Sequence, residues 1–253
     1  MFYVVYSDEK KTGQTTLAYS ILEAARRKLG KGNILAVCMD RGEYGKLLAM
    51  EGVRIEEGQS LASIANMAYS GGLGEIKSAL PEKDGVYFVG NRKGASFVPE
   101  DIAKAFFEQA AREFDFVLAD MSGGKNNKLN SSVFNVSDGV INVILQDVEM
   151  IRDGDFLTGS EIAVVVNRYA DIYPRLPDIQ SLCGKTKAFA LPWCAKLMDM
   201  RNRGELDRYR ALETEYNAAV GELCEYLFAK QKAGVDTVSH KAQKGGGMFG
   251  FLF

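Results

Sequence analysis

The stretch Ser7-Asp8-Glu9-Lys10-Lys11-Thr12-Gly13-Gln14-Thr15-Thr16 gathers two adjacent cations, three threonine hydroxyls and a glycine. These are the residue types of a phosphate-binding loop, where glycines let backbone N–H groups turn inward, a lysine reaches the β- and γ-phosphates, and a Ser or Thr holds magnesium. Against G-x-x-x-x-G-K-[ST], Gly13 and Thr15 fit, Asp8 stands where the first glycine would be, and Gln14 stands where the lysine would be. On these residues alone, a nucleotide loop and an ordinary strand-to-helix turn both remain open. The flanks suit either. Phe2 to Tyr6 is an aromatic and β-branched run of strand length, and Thr15 to Leu29 carries apolar residues at helical spacing.

Two further carboxylates fall where strands end. Asn33 to Cys38 reads as a strand and is followed by Asp40, and Phe114 to Asp120 reads as another, running into Ser122-Gly123-Gly124. At the C-terminal edge of a parallel sheet such groups can orient magnesium or water, and equally can cap helices or turns. Further strands are predicted at Gly85–Val89, Gly139–Leu145, Glu161–Asn167 and Thr186–Leu191. A helix opens at Pro99-Glu100-Asp101, where proline and two acids suit a first turn, and runs to about Glu113. Glu43 to Leu80 reads as short helices broken by Gly52, Gly58 and Gly71-Gly72. The alternation of strand and helix predicts an α/β fold with a single doubly wound, mostly parallel β-sheet flanked by helices.

With 253 residues and 47% hydrophobic content, the chain has material for one substantial core. Lys plus Arg at 31 against Asp plus Glu at 33 leaves a net charge of -2 without a basic stripe, which gives no support to nucleic-acid binding. Cys38, Cys183, Cys194 and Cys224 form no C-x-x-C pair and the single histidine is His240, so no zinc-type site is expected. Sparse thiols and a strand that starts at once, with no leader and no run of the ~20 apolar residues that span a bilayer, point to a cytoplasmic protein.

The order of strand ends resembles the MinD/ParA group of deviant Walker A ATPases, and the likeness covers residues 2 to about 230. Asp115 to Gly124 resembles that family's D-[FY]-hydrophobic-D-x-x-x-G segment, with Asp120 and Gly124 at its key positions. Gln146 to Asp155 is similar to P-E-x-x-x-x-R-D-A, and Val164 to Tyr169 to the strand ending in N-R-[YF], whose Asn contacts adenine. Leu191 to Lys196 resembles I-P-x-D-x-x, and Met198 to Leu206 the A-x-x-x-G that follows it. The resemblance implies a P-loop NTPase-like domain over residues 1–230 and ATP with magnesium as cofactors. Nucleotide contacts would come from Lys10, Lys11, Gly13, Gln14, Thr15, Thr16 and Asn167, magnesium contacts from Thr15 and Asp120, and water or metal orientation from Asp40. It also implies a homodimer.

Against the family loop K-G-G-x-G-K-[ST]-[ST], Glu9 replaces the first Lys, Lys10 and Lys11 the two glycines, and Gln14 the second Lys. The charges lost are of the kind that stabilise phosphoryl-transfer transition states, so weak or absent nucleotide binding and negligible turnover are expected. Glu205 to Lys230 reads as one long helix, residues 231–247 as a polar and Gly-rich linker, and Met248-Phe249-Gly250-Phe251-Leu252-Phe253 as an apolar tip. Burying four large side chains of that tip, Phe249, Phe251, Leu252 and Phe253 with Met248 beside them, could contribute ~6–12 kcal/mol before ordering costs. That suits docking on a protein partner or on the inner face of a membrane, though a tail folded on its own domain also fits.

Two functions follow. One is a non-hydrolysing positioning or assembly scaffold for a membrane-associated machine, such as a pilus or secretion system, similar to the TadZ/CpaE branch. The other is an active dimeric ATP switch in partitioning or spatial positioning.

Overall fold

The computed structural model describes residues 1–30, 32–39, 45–72, 74–91, 98–121, 133–151, 157, 159–209, 212 and 214–243. Its centre is the strand β1 (Phe2–Tyr6), every residue of which is buried. A strand in the middle of a parallel sheet is covered on both faces, which is why it reads as a continuous apolar run instead of alternating. Tyr3 and Val5 face one core with helix α1 (Gln14–Leu29), whereas Phe2, Val4 and Tyr6 face the other.

The chain continues through β2 (Ile34–Cys38), α2 (Lys46–Glu51), α3 (Leu61–Tyr69), β3 (Glu82–Lys83), β4 (Val86–Gly90), α4 (Glu100–Glu113) and β5 (Phe116–Asp120). It then forms β6 (Gly139–Leu145), α5 (Val148–Ile151), β7 (Glu161–Tyr169), α6 (Leu176–Cys183), β8 (Lys187–Pro192), α7 (Ala195–Arg203), α8 (Leu206–Tyr209) and α9 (Glu215–Gln243). The strands make one eight-stranded sheet in the order β3-β4-β2-β5-β1-β6-β7-β8. All neighbours are parallel except β3 and β4. Helices pack on both faces, as the doubly wound reading predicts.

On one face, Leu17, Ile21 and Leu22 of α1 meet Tyr216, Leu223 and Leu227 of α9 over Tyr3, Val5, Ala36 and Leu118. On the other, Phe106, Phe107 and Ala110 of α4 and Ile64 of α3 cover Phe2, Val4, Leu35 and Val117, with the Phe2 and Phe107 rings stacked at 5.2 Å. The α4 boundaries follow the anticipated signals, Pro99 as cap and Glu100 and Asp101 in the first turn.

Two elements depart from the sequence reading. The strand β3 was not expected, and it pairs antiparallel with β4 across Asp84-Gly85, both at positive φ, as a two-residue hairpin requires. The helix expected over Glu205 to Lys230 is two, α8 and α9, and α9 continues to Gln243, past the boundary drawn at 230. Residues 244–253, which carry the rest of the linker and the tip Met248, Phe249, Phe251, Leu252 and Phe253, lie outside the described residues.

Candidate functional site

β1 is the strand where the sheet's order reverses: α1 leads on one side to β2, beyond β5, while β6 lies on the other side. In open α/β sheets the crevice outside the carboxyl ends at such a reversal receives ligands. Here it is a cleft of about 760 Å³, walled by the Asp8 to Thr16 loop, Asp120 and Met121 after β5, Asn167 and Arg168 of β7, and Pro192 to Cys194 after β8. Residues predicted from sequence, Lys10, Lys11, Gly13, Gln14, Thr15, Thr16, Asn167 and Asp120, all line it. Asp40, Gly124 and the Arg152 to Asp155 stretch lie outside the described residues.

The loop explains its own departures in part. Lys11 occupies a family glycine position and takes φ 65, the left-handed conformation that glycine adopts freely and other residues at a cost of about 1–2 kcal/mol. Gly13 caps α1 at φ 92, and a Cβ there would collide with the Asn167 amide, so glycine is retained for both conformation and space. Asn167 is buried, and its Nδ2 donates to the Thr12 carbonyl at 2.6 Å, pinning the loop to the end of β7. Arg168 adds a second pin by donating to the Lys11 carbonyl at 3.2 Å.

Gln14 turns inward. Its Nε2 donates to Asp120 Oδ1 at 2.7 Å, to the Val5 carbonyl at 3.1 Å and to the Met121 carbonyl. Three acceptors thus surround one nitrogen carrying two hydrogens, a cage whose count matches an ammonium better than an amide. The neutral residue makes, at the junction of β1 and β5, the contacts that a lysine's three donors would satisfy.

Several residues that sequence reasoning had not assigned a role complete the cleft. Trp193, the chain's one tryptophan, is half-exposed at the end of β8 with the Arg168 guanidinium 5.3 Å from its ring centre. Arg201 of α7 reaches the first turn of α1, where its Nη1 donates to the Thr16 hydroxyl at 3.3 Å. Ser20 donates to the Tyr216 hydroxyl at 3.4 Å, and burial pushes that phenol up to about 12, keeping it neutral. No local sequence signal marked Arg201; its side of α7 is set by the burial of Leu197, one helical turn earlier. For Trp193 the signal was its place directly after a strand-terminating proline.

No protein-family model and no curated protein matches this chain. Solved structures do. A ParA family ATPase from Chlorobium tepidum TLS superposes with a TM-score of 0.73 at 16% identity, covering 89% of this chain and 98% of that one. A chain of the MinC:MinD cell division protein complex of Aquifex aeolicus gives 0.68 at 22% identity, over 90% of this chain and 96% of that one. The septum site-determining protein MinD complexed with Mg-ADP from Pyrococcus horikoshii OT3 gives 0.64 at 17% identity, over 89% and 95%. The eight-stranded, mostly parallel sheet flanked by helices is that of the ParA/MinD P-loop NTPase fold.

Proposed function

We propose that this protein is a positioning or assembly scaffold that keeps the cleft of the ParA/MinD fold and has lost phosphoryl transfer. The observation that carries this is Gln14. Transfer of a γ-phosphoryl group depends on cations placed against the charge that develops on its oxygens, since the protein does little other chemistry there. At the lysine's place the chain has a neutral amide, and that amide is directed onto Asp120 and two backbone carbonyls. Asp8 and Glu9 face the same cleft, adding like charge opposite a triphosphate.

A nucleotide itself fits the cleft. Trp193 offers a stacking surface, and Thr12, 1% exposed, has a hydroxyl without a hydrogen-bond partner among the described residues. One oxygen of Asp120 accepts from Gln14, so the groups that would face magnesium are its second oxygen and the Thr15 hydroxyl, with no lysine at position 14 beside them to share the phosphate charge. Bound nucleotide is therefore a structural ligand and not a fuel.

The partner in this reading is a protein of a membrane-associated machine, a pilus or secretion system, reached through the apolar tip and the surface around the cleft. A neighbour that is itself a MinC:MinD complex supports a protein partner. The test is phosphate release from Mg-ATP by the purified full chain. Turnover equal to that of Thr15→Ala is expected, and magnesium-dependent hydrolysis abolished by Thr15→Ala would overturn the proposal.

A further inference from the structure

Arg201 is half-buried on α7, yet it makes no ion pair among the described residues, and its side-chain hydrogen bond is to the neutral Thr16 hydroxyl. A partly desolvated guanidinium without a carboxylate is a recognition group awaiting an anion, since its five donors are only partly satisfied. It lies at a junction. Besides the main cleft, Arg201 lines a neighbouring cavity of about 380 Å³ together with Lys46 and Lys83, and Lys46 lines both as well.

Arg201 stands against the first turn of α1, whose leading N–H groups have no intrahelical acceptor. The cleft is also lined by Trp193, with its face beside Arg168, which in turn donates to the Lys11 carbonyl. An aromatic face and a cation without an ion pair among the described residues, lining one cleft, suit a molecule with a flat base and a phosphate chain.

We infer that Arg201 is the phosphate-recognising residue of this cleft, holding the phosphates of a purine nucleotide from α7 where the loop has Gln14 instead of a lysine, and doing so without magnesium. This rests on the cleft holding nucleotide as a structural ligand, as argued above. The guanidinium supplies fixed, always-charged donors, so charge neutralisation does not wait for a metal. Because the cation approaches the first turn of α1, the phosphates nearest the sugar are the ones recognised, and a diphosphate satisfies the site as well as a triphosphate does.

The experiment is titration of the full-length protein, followed by the fluorescence of Trp193 and by calorimetry, with ADP, ATP and adenosine, each in EDTA and in magnesium. Binding of ADP in EDTA, within about threefold of its affinity in magnesium and within about threefold of ATP, is expected for an arginine-centred site. Arg201→Gln should weaken ADP by about tenfold or more while leaving adenosine unchanged, and Arg201→Lys should recover part of the loss. Thermal melts of both variants confirm that they fold.

Equal ADP affinity for the wild type and Arg201→Gln would overturn the inference, as would parallel loss of ADP and adenosine, or ADP binding that requires magnesium. Absence of all nucleotide binding would also overturn it while leaving the non-hydrolysing scaffold standing. Magnesium-dependent turnover with an ADP affinity that still depends on Arg201 would do the reverse.

Discussion

Removing the Gln14 amide tests the junction on which the functional reading turns. Asp120 is 3% exposed, and Gln14 is a donor to its Oδ1 at 2.7 Å, so truncation withdraws a hydrogen bond from a nearly buried carboxylate. A bond of that kind contributes roughly 1.5–3 kcal/mol. The Val5 carbonyl loses less, because the Met121 N–H also donates to it at 3.1 Å. Gln14 itself is partly exposed, so water can enter behind Gln14→Ala and the cavity contribution is small. A net loss of about 2 kcal/mol corresponds to roughly 4–8 °C in Tm for a domain of this size. Gln14→Met, which keeps the length but has no donor, should lose at least as much. Gln14→Lys, bringing three donors to three acceptors, should match or exceed the wild type. Differential scanning calorimetry at neutral pH gives the order. If Gln14→Ala and Gln14→Met both melt within about 1 °C of the wild type, the amide does not hold the strand ends together, and the argument built on its direction fails.

Other regions make independent predictions. Arg26 donates to both carboxylate oxygens of Glu51, at 3.3 and 3.1 Å, and Glu51 has a fully buried side chain, so Arg26→Met withdraws a bidentate cation from a buried carboxylate and should lower Tm by roughly 10 °C; an unchanged melt would mean that the pair does not stabilise the fold. Burial raises Tyr3 and Tyr216 to about 12 from 10.0, and Cys224 to about 12 from 9.0. Groups raised in the folded state lend stability that is complete below their unfolded values and lost as pH climbs through the folded ones, so denaturant midpoints should fall from about pH 9 and most steeply between 10 and 12. Over the same titration Cys224 should resist alkylation until the chain unfolds. Deleting residues 248–253 should reduce co-sedimentation of the full chain with anionic vesicles or with its protein partner several-fold, and undiminished sedimentation would assign docking to another surface.

How far the sequence could be read depended on whether a signal was local. The central strands were legible because burial on both faces makes Phe2–Tyr6 and Phe116–Asp120 continuous apolar runs. The hairpin to β3 was missed although Asp84-Gly85 is a strong turn pair, because Glu82–Lys83 is a charged two-residue edge with no apolar face to reveal it. The break between α8 and α9 was hidden by a helical spacing of apolar residues that runs across it: Leu206, Tyr216, Leu223 and Leu227 enter the same core from two helices.

In the cleft the same distinction separates what was found from what was missed. The loop residues lie together in sequence and could be matched to a phosphate loop as a unit. Arg201 lies 185 positions from the Thr16 hydroxyl that it touches, and no spacing rule reaches that far. Yet the two ends of the problem are physically linked. A lysine at position 14 would serve Asp120 and a phosphate with one mobile charge. Gln14 can replace the first service, since an amide still donates to a carboxylate, but not the second. A chain that loses the lysine and still holds a nucleotide is left with Lys10 and Lys11 of the loop and with cations brought from elsewhere in the fold. Arg201, without an acidic partner among the described residues and placed against the first turn of α1, is where the structure puts one.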